Sequence, residues 1–220
     1  MRKIGIVGGL SAQSTIEYYR ILVDEYNKIK GGVSSPEIII DSQDLAKFNE
    51  MMVDNNWEGV LAATVKSVKN LLNAQAEIIF LATNTVHKIF DGLQEKFSDV
   101  EFVSIMDATA EAILEKEIAK VGLLGTKFTM GSSFYQDALQ KKGIETIVPE
   151  VNDQKIIDDI IWRELTIGQI TDGSKKAYLT IIEKLQKAGA QGVILGCTEI
   201  PLLIKPTDSP IHTFDTTTLH

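Results

Sequence analysis

The chain is poor in the residues that carry disulfide, metal and nucleic-acid chemistry. Its 220 residues include one cysteine and three histidines. A single cysteine excludes an internal disulfide and argues against a structural zinc site. No metal ligand set is predicted, and His212 and His220 stand too isolated to form one. A Walker-type G-x-x-x-x-G-K-[ST] is missing, which argues against a P-loop nucleotide site. There is no long basic run, and 22 basic residues face 30 acidic ones, for a net charge of -8. Phosphate binding needs clustered Lys and Arg, so no nucleic-acid partner is expected. No apolar stretch approaches the roughly 18 residues that suggest a spanning helix. The N-terminus runs straight into a strand pattern instead of a leader. These absences predict no membrane partner and a cytoplasmic enzyme or binding protein.

What is present is an alternation. Short runs that are apolar throughout read as strands buried on both faces: residues 4–7, 38–40, 78–81, 102–105, 121–124, 146–148 and 193–195. Longer amphipathic segments between them read as helices: residues 14–29, 57–73, 85–97, 108–116, 132–142, 153–165 and 174–188. Repeated strand-then-helix order implies an α/β fold with mainly parallel sheets flanked by helices. With 44% hydrophobic residues the chain has enough for one large domain or two small ones, each with its own core.

The chain also matches itself. Lys3-Ile4-Gly5-Ile6-Val7-Gly8-Gly9 parallels Lys120-Val121-Gly122-Leu123-Leu124-Gly125-Thr126. Residues 74–85, AQAEIIFLATNT, parallel residues 188–199, AGAQGVILGCTE, at nearly the same offset. Two similar lobes are therefore expected: residues 1–102 with a returning tail, 208–220, and residues 103–207. In this alignment Thr83 falls on Cys197. If the lobes are related by a pseudo-two-fold axis with the site between them, a hydroxyl and a thiol address the two faces of one carbon atom.

Ligands of open α/β sheets bind beyond the carboxyl ends of the strands. Four polar segments lie there: residues 8–14, 83–87, 125–130 and 196–199. Each leads towards a helix, whose free N–H groups suit an anion such as a carboxylate. Gly5-x-x-Gly8-Gly9 is not a dinucleotide fingerprint, and reads as a tight turn. Cys197 stands just past a strand end, where helix-terminal N–H groups are expected to lower its pKa from about 8.5. Asn84, Thr85, Thr198, Thr126 and Ser11 read either as helix caps or as ligands for a substrate carboxylate. Glu199 reads as a group that adjusts the Cys197 proton affinity or caps the turn. His87 reads as a packed histidine, and Lys175-Lys176 as a solvated face.

Taken in order, these residues resemble the aspartate/glutamate racemase family, within it the broad-specificity amino acid racemase branch. The resemblance spans nearly the whole chain. It includes Gly5-Ile6-Val7-Gly8-Gly9 with Ser11, Ser14-Thr15 and Tyr18-Tyr19; Thr83-Asn84-Thr85-Val86-His87-Lys88; and residues 124–130, LGTKFTM. It continues through Glu164-Leu165 with Gly168 and residues 192–201, and ends at Phe214-Asp215-Thr216. The resemblance implies two α/β domains, a cofactor-free site between them, and homodimers. It implies exchange of the α-proton of a small-molecule amino acid by two residues, here Cys197 and, in place of the usual first cysteine, Thr83. Asn84, Thr85, Thr198 and neighbouring backbone amides would stabilise the carbanion, with Ser11, Thr126 and Glu199 lining the site.

Aspartate or glutamate is the default substrate that the resemblance implies. Lys47 is the candidate cation for a side-chain carboxylate, but Met51 and Met52 nearby favour a less acidic side chain. Two other readings are compatible with the sequence: a decarboxylase or isomerase of a small dicarboxylate that uses Cys197, and an amino-acid-binding protein that turns nothing over.

Overall fold

Residues 2–220 are described by a computed structural model. The chain divides between Ser104 and Ile105 into two units. In the first, β1 (Ile4–Gly8) leads into α1 (Ala12–Lys30) and β2 (Ile38–Ser42). Two helices follow, α2 (Leu45–Val53) and α3 (Trp57–Asn73), then β3 (Ile78–Leu81). A 3-10 turn, Thr85–Ile89, runs into α4 (Phe90–Lys96), and β4 (Glu101–Val103) completes the unit.

The second unit opens with α5 (Ile105–Glu115), β5 (Lys120–Gly125), α6 (Lys127–Gly131) and α7 (Phe134–Gln140). Then come β6 (Glu145–Ile147), α8 (Val151–Arg163), a 3-10 turn at Leu165–Ile167 and α9 (Asp172–Lys187). It ends with β7 (Gly192–Gly196), α10 (Ile200–Leu203), β8 (His212–Asp215) and α11 (Thr216–Leu219).

Each unit holds one four-stranded parallel sheet, in the orders β2-β1-β3-β4 and β6-β5-β7-β8. The register repeats as well. Ile4 pairs with Ile78 in the first sheet, and Val121 with Gly192 in the second. Further along, Val7 pairs with Leu81, and Leu124 with Leu195. The sequence repeat is therefore a repeat of hydrogen-bonded ladders.

Helices cover both faces of each sheet, which is why the central strands are apolar beyond Lys120 at the start of β5. In the first unit, Tyr18 and Leu22 of α1 pack on Ile4, Ile6 and Phe80. On the other face Gly5 leaves room for Leu71 of α3 and for Ala76: a Cβ there would lie 2.8 Å from that of Ala76. In the second unit, Ile157 and Ile161 of α8 and Tyr178, Ile181 and Leu185 of α9 join Leu124, Val193 and Leu195 in one core. On α5 and α7, Tyr135 donates to Thr109 at 3.2 Å within the buried interior.

Two expectations are corrected. The tail, residues 208–220, does not return to the first domain. Its strand β8 pairs with β7 from Gly192↔His212 to Leu195↔Asp215. Gly192 makes room for this pairing: it has no side chain, and a Cβ there would lie 2.7 Å from the Phe214 ring. Thr216 then donates to the Leu195 carbonyl at 3.0 Å and fastens the end of the tail. Second, residues 102–105 are not all strand. β4 stops at Val103, and Ile105 begins α5 and lies fully buried.

Candidate active site

The polar residues singled out in the sequence gather at the carboxyl ends of the central strands, in two groups, one per unit. In the first, Ser11 caps α1 by accepting from the Ser14 N–H at 3.3 Å. Thr15 accepts from the Gly9 N–H at 2.7 Å and donates to the Ser11 carbonyl at 2.8 Å. Gly9 has φ +77°, and a Cβ there would fall 2.1 Å from the Gln43 carbonyl oxygen, so this turn admits only glycine. Ser14 donates to the Ala82 carbonyl at 3.1 Å, which ties the turn after β1 to the turn after β3.

Thr83 is the second residue beyond β3 and is buried, as are Asn84 and Thr85. Asn84 adopts helical angles and makes no side-chain capping bond, so it does not act as a conventional N-cap. His87 Nδ1 lies 2.7 Å from the Thr83 carbonyl. A carbonyl can only accept, so Nδ1 carries the proton. The ring also stacks on Phe90 at 5.1 Å. His87 is thus the packed histidine expected from the sequence, and it fixes the backbone of Thr83.

In the second unit, Thr126 follows β5, and its hydroxyl accepts from the Thr129 N–H at 3.3 Å at the start of α6. Gly125 pairs with Gly196. A Cβ on Gly196 would approach the Leu124 carbonyl to 2.6 Å, so the two strand ends close up only because this residue is glycine. Cys197 follows directly and is 8% exposed. Its thiol donates to Glu199 Oε2 at 2.9 Å. Thr198 donates to the same oxygen, also at 2.9 Å. Glu199 itself is 3% exposed and makes no side-chain capping bond to α10.

The expectation of a lowered Cys197 pKa is overturned. Burial pushes the thiol pKa well up, and the Glu199 carboxylate pushes it further. The backbone N–H of Glu199, at the start of α10, pulls the other way but does not offset these effects. Asp158 of α8, which sequence reasoning missed, adds to the upward shift. Its Oδ1 accepts from the Lys127 N–H at 2.8 Å and from the Trp162 indole at 3.2 Å. No local motif marks Asp158; it is one acid among several on an amphipathic helix. Tyr178 of α9 was also missed. Its phenol donates to the Ile157 carbonyl at 3.3 Å, and its pKa is raised by burial and by the nearby Cys197, Asp158, Glu199 and Glu164.

Other candidates fall elsewhere. Lys47 is largely exposed on the first turn of α2, with Asp44 3.9 Å away. Lys175 is not merely solvated: it pairs with Asp208 at 2.8 Å. Among the described residues no group of three or more His, Cys, Asp or Glu is placed to hold a metal ion. Nor is any of their helices long and apolar enough to cross a membrane.

Known proteins share this fold. A candidate Asp/Glu racemase from Yersinia pestis superposes with a TM-score of 0.91 at 38% identity, covering 100% of this chain and 96% of that one. An aspartate racemase homologue from Pyrococcus horikoshii OT3 gives 0.84 at 39% identity, with the same coverage. A glutamate racemase from Hydrogenobaculum sp. is 33% identical over 158 residues, which span 66% of this chain and 55% of that enzyme. The chain thus spans about half the length of that curated relative. Residues 7–220 match the family described as Asp/Glu/Hydantoin racemase, and the chain belongs to that family.

Proposed function

We propose that the protein is an amino acid racemase that exchanges the α-proton of its substrate through Cys197 and Thr83, without a cofactor. Family membership supports amino acid racemisation in general. The observation that carries the finer reading is the matched position of the two residues. Thr83 lies two residues beyond Leu81 and Cys197 two beyond Leu195, and these leucines occupy equivalent places in two ladders of the same order.

The resting thiol is protonated, so Cys197 acts together with Glu199. The Cys197 S–H bond breaks and its proton passes along the 2.9 Å hydrogen bond to the Glu199 carboxylate. The thiolate then takes the α-proton, breaking Cα–H and forming S–H. The electron pair is left on Cα and spreads into the substrate carboxylate. Donors near the strand ends, Asn84, Thr85, Thr198 and adjacent backbone amides, would stabilise that charge. Inversion is completed when the Thr83 hydroxyl gives its proton to the opposite face and recovers one from water; the hydroxide left behind takes the proton from Glu199, which restores the resting thiol–carboxylate pair. Return from Cys197 to the same face, after the thiol hydrogen has been swapped with solvent, instead gives exchange without inversion. Ser11 and Thr126 would contribute to substrate binding. Aspartate, glutamate or an amino acid with a related side chain is the proposed substrate.

The test is proton NMR of Cα exchange in heavy water with a panel of L- and D-amino acids. Exchange with inversion is the expected result, and Cys197→Ala should abolish it. Binding of an amino acid with no exchange at Cα would overturn the reading, as would turnover confined to substrates lacking an amino group.

A further inference from the structure

We infer that Asp158 is a positioning residue for Cys197: its carboxylate accepts from the Lys127 N–H and pins the turn that leaves β5, beside the strand end that carries Cys197. This rests on the reading of Cys197 as the reacting group.

The pinning is visible in the hydrogen bonds. Lys127 is the first residue of α6, so its N–H has no partner inside the helix. Asp158 takes that N–H at 2.8 Å, placing an anion at the start of α6. Trp162, one turn further along α8, donates its indole N–H to the same carboxylate oxygen. That bond limits rotation of the acid and keeps it aimed at the turn. The turn matters because of register: Gly125 pairs with Gly196, Thr126 follows the one and Cys197 the other.

The titratable groups facing the thiol come from three elements. Glu199 belongs to its own turn and Asp158 to α8; the Tyr178 phenol of α9, kept neutral by burial and by these acids together with Glu164, completes the set. The Lys127 ammonium lies over the Phe128 ring at 5.0 Å. Burial and Glu199 contribute more than Asp158 to keeping the proton on sulfur. The Asp158 share can nevertheless be separated, because a neutral isostere can keep both hydrogen bonds.

With one cysteine in the chain, thiolate ultraviolet absorbance taken as the difference from Cys197→Ala, which cancels the tyrosines, reports a single thiol. Asp158→Asn should lower the titration midpoint by about half a pH unit or more, because removing a nearby anion favours the thiolate. Asp159→Asn is the control: Asp159 lies 3.6 Å from Arg163, and its loss should leave the midpoint in place. Amide hydrogen exchange at Lys127 reads the pin. It should stay slow in Asp158→Asn and quicken about tenfold in Asp158→Ala, which loses the acceptor. Asp158→Ser, too short to reach, replaces Asp158→Ala if that variant does not fold. An unmoved midpoint in Asp158→Asn, or an equal shift in Asp159→Asn, overturns the electrostatic role. Unchanged Lys127 exchange without the carboxylate overturns the pin. Both measurements are made without substrate. A wild-type protein inert towards amino acids would sink the proposed function and leave this result standing.

Discussion

The Cys197 thiol donates to the carboxylate of Glu199, two residues along the chain, at 2.9 Å. Both side chains are buried, so the proton between them is shielded from water and its position governs what the sulfur can do. If Glu199 receives that proton during turnover, Glu199→Gln removes the acceptor. Two measurements should then diverge: the thiol titrates at lower pH, while α-proton exchange falls by about a hundredfold or more. Exchange rates equal to wild type would rule out Glu199 as the acceptor.

Thr83 and Cys197 are chemically unequal. A threonine hydroxyl is far less acidic than a thiol, so Thr83 can donate a proton to a carbanion but is a poor base. Initial turnover rates from the L and D forms of one substrate should therefore differ, and equal turnover numbers would refute the asymmetry. Thr83→Cys should raise inversion if the site is otherwise intact. Thr83→Ala should retain exchange through Cys197 while inversion is lost.

Burial of Cys197 also links stability to pH. The folded chain holds the thiol proton more tightly than the unfolded chain does. The stability this contributes is complete below the ordinary thiol value, about 8.5. It is lost as pH climbs from there through the folded value, because the unfolded chain ionises first. Tm should therefore fall more steeply with alkaline pH in wild type than in Cys197→Ala. Parallel curves would show that the thiol is not perturbed.

Phe214 tests the placement of the tail. It is 2% exposed and fills the space left by Gly192. Phe214→Ala should cost about 3–5 kcal/mol in denaturant unfolding, the usual range for an excised core aromatic. A loss below about 1 kcal/mol would mean that β8 is not integral to the second sheet.

Gly196→Ala tests the close approach of β5 and β7. Its methyl would meet the Leu124 backbone oxygen at 2.6 Å, which a flexible side chain cannot relieve. Lower Tm together with weakened α-proton exchange is expected. Wild-type values for both would show that the strand ends tolerate separation.

Much of this was legible in the sequence because the signal was local. Ile78–Leu81 and Trp57–Asn73 have the boundaries that their apolar runs and periodicity predict. The internal match placed Thr83 and Cys197 at equivalent strand ends because register follows the apolar pattern. The failures were tertiary. Nothing local in residues 211–214 says which sheet they join; the space that receives Phe214 lies above Gly192. The Cys197 proton affinity was misjudged in direction: the helix terminus and Glu199 can both be seen in sequence, whereas the burial that dominates cannot. Asp158 was invisible for the same reason, since its partner Lys127 is 31 residues away.

Each half of the chain closes its own ladder from its own residues. During synthesis, the amino-terminal sheet has all its strands before the carboxy-terminal one has emerged. No strand must wait for a partner in the other half, so early pairing errors between halves have little chance to form. The same self-sufficiency allows one half to diverge at a strand end, as Thr83 has from Cys197, without disturbing the ladder of the other.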